Sequence, residues 1–227
     1  MTERELRQKV VDKINSWMGL SQYDYSNQVI LDTYNSHKPL ARGYRIQRGD
    51  AWCATTVSAV AIACGLTEIM PTEVSCPEMV KLYQKHELSR WEENDAFVPD
   101  IGDIVLYDWQ DNGVGDNKGV PDHIGIVTKV DGTQLTITEG NMGGKVGKRV
   151  IPLNGKFIRG YCLPNYAWMA GVDMDRWHKV EDIKNSYYKR EVQRLIKNGV
   201  LAGKDGDLDL SEDMLRCILI CERMLKK

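Results

Sequence analysis

From Ala54 to Cys64 the side chains are small or apolar on every side, a pattern that suits a helix buried all round in a domain core. Gly65 follows and is predicted to end that helix in the left-handed conformation. Upstream, Thr2-Glu3-Arg4-Glu5 has the form of a capping box, and Leu6, Val10, Ile14, Trp17 and Met18 then fall on one helical face. A second helical stretch is expected over residues 26–34, then a loop over 36–49 leading to Trp52 and Cys53. Another helix is expected over 77–87, with His86 near its C-terminus, where the helix dipole favours a histidine.

Beyond residue 90 the apolar runs shorten to strand length. Strands are predicted over 91–97, 104–107, 123–130 and 135–139, and further ones over 148–152 and 156–162, joined through Asn154-Gly155. Asp131-Gly132 signals a hairpin. Its length decides which side chains meet. A two-residue loop at 131 and 132 puts His123 and Glu139 on opposite faces of the sheet, whereas a three-residue loop with Gly132 in the left-handed bulge position pairs odd with odd. The three-residue loop is predicted, because it brings His123, Glu139 and Asn141 to one face. The stretch 108–122, rich in Asp, Asn and Gly, is expected to be a mobile loop at the edge of a cleft; it lacks the ordered ligand spacing of a calcium loop.

The character changes near Ala167. Tyr187, Tyr188, Val192, Leu195 and Ile196 mark an amphipathic helix stopped by Gly199, and Met214, Leu215, Ile218, Leu219 and Leu225 mark a last one. Between them Asp205, Asp207 and Asp209 have the spacing of an EF-hand start, but Leu210 and Arg216 stand where its glycine and bidentate glutamate belong, so a turn and helix cap is the better account. The division expected is a larger α+β domain over 1–168 and a small helical module over 169–227.

At 227 residues the chain has room for those two parts. A net charge of −2 leaves no basic footprint for nucleic acid or anionic lipid. No apolar run has the length of a membrane span, and the N-terminus carries no charged-then-apolar signal segment. Synthesis in a bacterial cytoplasm without general secretory export is the expectation. The six cysteines, at 53, 64, 76, 162, 217 and 221, show no framework spacing and are expected to be reduced. Cys217 and Cys221 share a helical face and are read as core or helix-pairing residues.

A cysteine is most often a small buried hydrophobe. Position sets Cys53 apart: it lies in the first turn of the buried helix, where free backbone N–H groups and the dipole favour a thiolate. Cys76, in Ser75-Cys76-Pro77, also opens a helix and is the lesser candidate. A helix-borne Cys53 and a strand-borne His123 match the nucleophile and base of a papain-like plan. The second imidazole nitrogen then needs an acceptor, which either Glu139 or Asn141 supplies. Trp52 and Asp122, flanking the pair in sequence, are candidate substrate contacts.

Taken together, Asp50-Ala51-Trp52-Cys53-Ala54, the segment 99–105 with Gly102-Asp103, the segment 121–127, Glu139-Gly140-Asn141 and Gly160-Tyr161 resemble a CHAP domain (cysteine, histidine-dependent amidohydrolase/peptidase), particularly those of bacteriophage and prophage endolysins. The resemblance spans about the first three-quarters of the chain. It implies a papain-like fold with N-terminal helices packed on a twisted antiparallel sheet, and hydrolysis of a peptidoglycan amide bond. It implies Cys53 as nucleophile, His123 as base, Glu139 orienting His123, and Asn141 as a polar helper. It implies no cofactor. No metal is carried over, because the loop before Cys53 lacks the acidic residues with which some relatives bind calcium. Peptidoglycan is the partner implied, reached by holin-type release or carriage on a phage particle.

The C-terminal module is similar to one S-layer homology repeat over 188–203 and 210–216, which leaves wall binding and homodimer formation both open. Competing readings are a non-catalytic wall-binding or tail protein that keeps the fold, and an NlpC-type peptidase or acyltransferase. The intact set of polar residues argues against the former and the Glu-Gly-Asn turn against the latter. Muramoyl-alanine amidase and stem or cross-bridge endopeptidase both remain open.

Overall fold

The Thr2 hydroxyl accepts from the Glu5 N–H while the Glu5 carboxylate accepts from the Thr2 N–H, closing the capping box that starts α1 (Glu3–Asn15). Leu6, Val10, Ile14 and Trp17 are buried as the periodicity requires, whereas Met18 is exposed. Next come α2 (Gln28–Ser36), α3 (Cys53–Cys64) and α4 (Cys76–Lys85), and a short α5 (Tyr166–Val172) follows the last strand. Every residue of α3 from Cys53 to Ala61 is buried, and Gly65 ends the helix at φ 68°. The helix packs on α1, α2 and the sheet, which is why small residues surround it. The computed structural model describes residues 1–172, 177, 179–183, 185–202, 208, 210 and 212–225.

The strands β1 (Arg90–Glu92), β2 (Ile104–Tyr107), β3 (His123–Asp131), β4 (Gln134–Met142), β5 (Lys145–Pro152) and β6 (Ile158–Leu163) form one six-stranded sheet in the order β1-β6-β2-β3-β4-β5. All neighbours are antiparallel. The fold class is α+β. The strand expected over 91–97 shrinks to Arg90–Glu92, since an Asx turn at Asn94 bends the chain away.

Two glycines of the sequence have structural explanations. A side chain on Gly102, at φ 84°, would press on the Tyr166 hydroxyl, which donates to the Gly102 carbonyl at 2.8 Å. The neighbouring Asp103 carboxylate accepts from Arg7 at 2.8 Å, tying α1 to the start of β2. Gly160 approaches Trp91 and the Glu92 carbonyl so closely that a Cβ would lie 2.5 Å from the indole.

The β3–β4 hairpin differs from the sequence expectation in an instructive way. Asp131 pairs with Gln134, so the loop is the two residues Gly132-Thr133 and not three. That register alone would place His123 and Glu139 on opposite faces. The parity is restored further along, where Val127 pairs with Ile137 but Lys129 pairs with Thr136, leaving Thr128 as an extra residue. The Thr128 hydroxyl donates to the Thr136 carbonyl at 3.2 Å, so the bulge residue satisfies part of its own disrupted ladder. Beyond the bulge, His123 and Glu139 share a face.

The loop 108–122 is fastened at several points. The Asn117 amide donates to the Ile158 carbonyl and Arg159 donates to the Gly119 carbonyl, so its second half is anchored to β6. His86 also differs: it follows α4 in an extended conformation, and its Nδ1 accepts from the Leu88 and Ser89 N–H groups. These two bonds make the ring the cap of the turn that follows α4.

The chain divides into two units, Thr2–Met169 and Ala170–Lys227. In the second, α6 (Ser186–Lys197) is capped by the Asn185 side chain, and α7 (Glu212–Leu225) closes a small core of Trp177, Ile183, Val192, Leu195, Leu210, Leu215 and Leu219. Gly199, at φ 70°, terminates α6 as expected. Cys217 and Cys221 are exposed, not core residues, because α7 turns its Leu215–Leu219 face inward instead. Asp205, Asp207 and Asp209 lie outside the described residues. Among the described residues no helix is long and apolar enough to cross a membrane.

Candidate active site

Cys53 is the first residue of α3, so its sulfur sits among the unpaired N–H groups of the first turn. Trp52 immediately before it is 1% exposed, and its indole N–H donates to the Gln22 side chain at 3.1 Å. A side chain so enclosed has no surface to offer a substrate. The expected contact role of Trp52 is thus replaced by a structural one, holding the start of α3 against the chain near Gln22. Asp122 is exposed, while its backbone N–H donates to the Tyr107 carbonyl at 2.9 Å and fixes the entry to β3.

His123 opens β3 and turns Nε2 to the Glu139 carboxylate at 3.0 Å. That leaves Nδ1 for the side of Cys53, and the thiol and the ring lie close enough to shift each other's acidity. Glu139 is fully buried and takes the partner role that the sequence left open between it and Asn141. Its two oxygens also accept from Arg149 on β5, Nε at 2.7 Å and Nη2 at 3.0 Å. This fork matches the carboxylate geometry and supplies a full positive charge. Burial pushes the Glu139 carboxyl up, but the hydrogen bonds from His123 and Arg149 outweigh it and hold the group below its ordinary range.

Glycines permit this closeness. A Cβ on Gly125 would lie 2.7 Å from the Glu139 Cγ, so the glycine leaves the space that the carboxylate arm occupies. A Cβ on Gly140 would lie 1.9 Å from the Thr56 hydroxyl of α3, which itself donates to the Trp52 carbonyl at 2.8 Å. The substitution Gly140→Ala is therefore expected to separate helix from sheet, destabilising the domain by about 1–3 kcal/mol. A lower urea midpoint, followed by circular dichroism, is the measurement. An unchanged midpoint would contradict this account of the packing.

A second thiol lies beside the first. Cys76, the first residue of α4, places its sulfur 3.8 Å from that of Cys53. The two are driven apart in acidity. The Cys53 thiol is lowered to about 5, first by the hydrogen bond from Cys76 and then, against burial, by the contact with His123. The Cys76 thiol is pushed well above its ordinary value by the same hydrogen bond and by burial. Burial works to lower His123, yet the neighbouring Cys53 and the bond to Glu139 raise it to about 9. The favoured state is a Cys53 thiolate beside a His123 imidazolium.

An open cleft of about 270 Å³ lies on the His123 side, lined by Trp109, His123, Asn141, Met142, Gly143 and Arg149; Cys53 is buried and is not part of its lining. Asn141 lies in an irregular stretch of the β4–β5 pairing at φ 58°, which carries it to the cleft wall beside the histidine. Trp109 stacks on Tyr107 with centroids 4.8 Å apart, and the Arg149 guanidinium lies 4.8 Å from the Trp109 ring centre. Sequence reasoning missed Arg149, Tyr107 and Trp109. Among the described residues no group of three or more His, Cys, Asp or Glu side chains is arranged to hold a metal ion.

No curated protein matches the chain. Solved structures that resemble it include a crystal structure of Ly7917 and one of Ly7917 with the hydrolyzing product of MDP. Each is 17% identical and covers 70% of this chain, with TM-scores of 0.35 and 0.36. This chain spans 62% and 63% of those two. The family described as CHAP domain matches residues 45–141, a segment that holds Cys53, Cys76, His123, Glu139 and Asn141 and stops short of Arg149. Residues 45–141 of this chain are a CHAP domain.

Proposed function

We propose that this chain is a peptidoglycan hydrolase that cleaves an amide bond of the bacterial cell wall through a thiolate nucleophile. The observation that carries the reading is the grouping of Cys53, His123 and Glu139, with His123 bonded to Glu139 and facing an open cleft, within a CHAP domain. The Cys53 sulfur attacks the amide carbonyl carbon, and the carbonyl electron pair moves to oxygen. The backbone N–H groups at the start of α3 stabilise that oxyanion. The His123 imidazolium gives its proton to the departing amine as the C–N bond breaks, leaving a thioester. Neutral His123 then removes a proton from water, which attacks the thioester, and the sulfur leaves as thiolate. Glu139 keeps the imidazole oriented throughout, and Asn141 offers a polar contact on the cleft wall.

The test is digestion of purified sacculi by the full chain, with mass spectrometry of the soluble products. An amidase leaves a lactyl carboxylate on the sugar and a free amine on the first stem residue; an endopeptidase leaves free amines within the stem or bridge. Sacculi that release no new amino groups would end the proposal. The setting read for this activity is phage-endolysin-like, with holin release or carriage on a particle as the route to the wall. The second unit is read as a wall-polymer-binding or homodimer-forming module. Sedimentation of the chain with and without sacculi separates those two roles.

The acidities define a pH profile. Cys53 is depressed from 9 to about 5, so its thiolate persists until pH falls through about 5. His123 is raised from 6.5 to about 9, so its imidazolium persists until pH rises through about 9. The expected kcat/KM profile is a bell with limbs near those two values, falling about tenfold per pH unit beyond each. An acid limb near 9 instead would mean that the thiol is not ionised by its surroundings.

A further inference from the structure

Cys53 and Cys76 are both free and buried, their sulfurs 3.8 Å apart, and each opens its own helix, so backbone N–H groups surround both. The hydrolytic steps above use Cys53 and leave Cys76 without a chemical task. We propose that this pair is an oxidation site, at which a hydroperoxide links Cys53 to Cys76 in an intramolecular disulfide that reversibly withdraws the nucleophile. Of the other buried thiols, Cys64 donates to the Lys9 carbonyl at 3.7 Å and Cys162 lies on β6.

The chemistry takes two steps. The Cys53 thiolate attacks one oxygen of the hydroperoxide: an S–O bond forms, the O–O bond breaks, and the departing alkoxide or hydroxide takes a proton from solvent. The Cys76 sulfur then attacks the sulfenic sulfur: an S–S bond forms, the S–O bond breaks, and the departing hydroxide takes the Cys76 proton to leave as water. The two thiols lose two electrons and the hydroperoxide gains them. To form the bond the sulfurs must close from 3.8 Å to about 2 Å. The first step also alters the second sulfur. Cys76 is held protonated chiefly by its hydrogen bond to Cys53, and oxidation removes the charge that this bond serves. The resolving thiol is thus released at the moment it is needed.

A cross-link also protects. A sulfenic acid left unresolved proceeds to sulfinic acid, which small-molecule thiols do not reverse. The loss of activity on cross-linking rests on the reading of Cys53 as nucleophile; the cross-link itself does not. The experiment treats the full chain with hydrogen peroxide, then maps tryptic peptides without reduction and assays sacculus digestion before and after dithiothreitol. The expected result is a Cys53–Cys76 linked peptide, activity lost by at least tenfold, and recovery with dithiothreitol. In Cys76→Ser the same treatment is expected to leave Cys53 as sulfinic acid with no recovery. Sulfinic acid at Cys53 in the unsubstituted chain, or linkage of Cys53 to any other cysteine, overturns the proposal, and that peptide map needs no variant to fold. A Cys53–Cys76 link that leaves activity unchanged upholds the cross-link and overturns the nucleophile.

Discussion

Replacing Cys53 by alanine is expected to reduce sacculus digestion to the uncatalysed background, a loss on the order of a thousandfold to a millionfold. Every covalent step passes through this sulfur, so no neighbouring group takes over. Cys76 is the nearest alternative at 3.8 Å, but its thiol is held protonated and it has no histidine contact of its own. Cys53→Ser is expected to fall almost as far, because a hydroxyl in the same place does not ionise near pH 7. Neither change threatens the fold: alanine suits a buried first turn, and the sulfur it removes costs about 1 kcal/mol of packing. Sedimentation with sacculi therefore distinguishes loss of chemistry from loss of structure. An NMR titration adds a local readout. His123 is raised to about 9 partly by the Cys53 thiolate, so in Cys53→Ala its titration moves to lower pH. A variant that still digests sacculi at full rate would leave the proposed mechanism without a nucleophile.

The sequence announces what is local and withholds what depends on tertiary register. Cys53 was legible because a loop-to-helix transition, an apolar helix and a terminating glycine are all written within a few turns of chain. The capping box at Thr2 was legible for the same reason. The hairpin was half legible. Glycine at 132 fixed the reversal, but Thr128 gave no sign of being a bulge, since threonine is an ordinary strand residue and its tell-tale bond to the Thr136 carbonyl exists only once the strands pair. The shared face of His123 and Glu139 thus follows from a device that the sequence reading did not find. Arg149 was hidden differently. In Lys145-Val146-Gly147-Lys148-Arg149 it is one basic residue among several on a strand, and only the β4–β5 register aims it at Glu139. Trp52 misled by proximity: adjacency to the nucleophile in sequence does not decide which way a side chain points, and this one points inward. The 3.8 Å approach of Cys76 spans 23 residues of sequence separation, for which no local pattern exists.

Glu139→Ala is expected to cost both stability and rate. The carboxylate is fully buried and shared between His123 and the Arg149 fork, so its removal leaves a guanidinium partly buried without its counter-charge and a histidine without an acceptor. Breaking a buried pair from one side costs about 3–5 kcal/mol; exposure of 29% for the Arg149 side chain places this case at the lower end. The rate consequence is separate. Without the acceptor, the imidazole is free to rotate or to take the wrong tautomer, and kcat is expected to fall about a hundredfold to ten-thousandfold with KM little changed. Glu139→Gln separates the two effects, since it keeps an acceptor oxygen and the shape but not the charge. Because Glu139 helps raise His123 to about 9, the alkaline limb is expected to move to lower pH in both variants. The sign for stability is opposite. Glu139 is depressed in the folded state, so its contribution is present above the ordinary carboxylate range and is lost as pH falls through the folded value. Glu139→Gln is accordingly expected to narrow the stability difference between pH 7 and pH 3. Arg149 acts through Glu139 without touching the reacting atoms, so Arg149→Lys, which retains the charge, is expected to keep more activity than Arg149→Met. Both are expected to show a smaller shift of the alkaline limb than Glu139→Ala. An alkaline limb unmoved by Glu139→Ala would mean that the histidine owes neither its charge nor its orientation to this carboxylate.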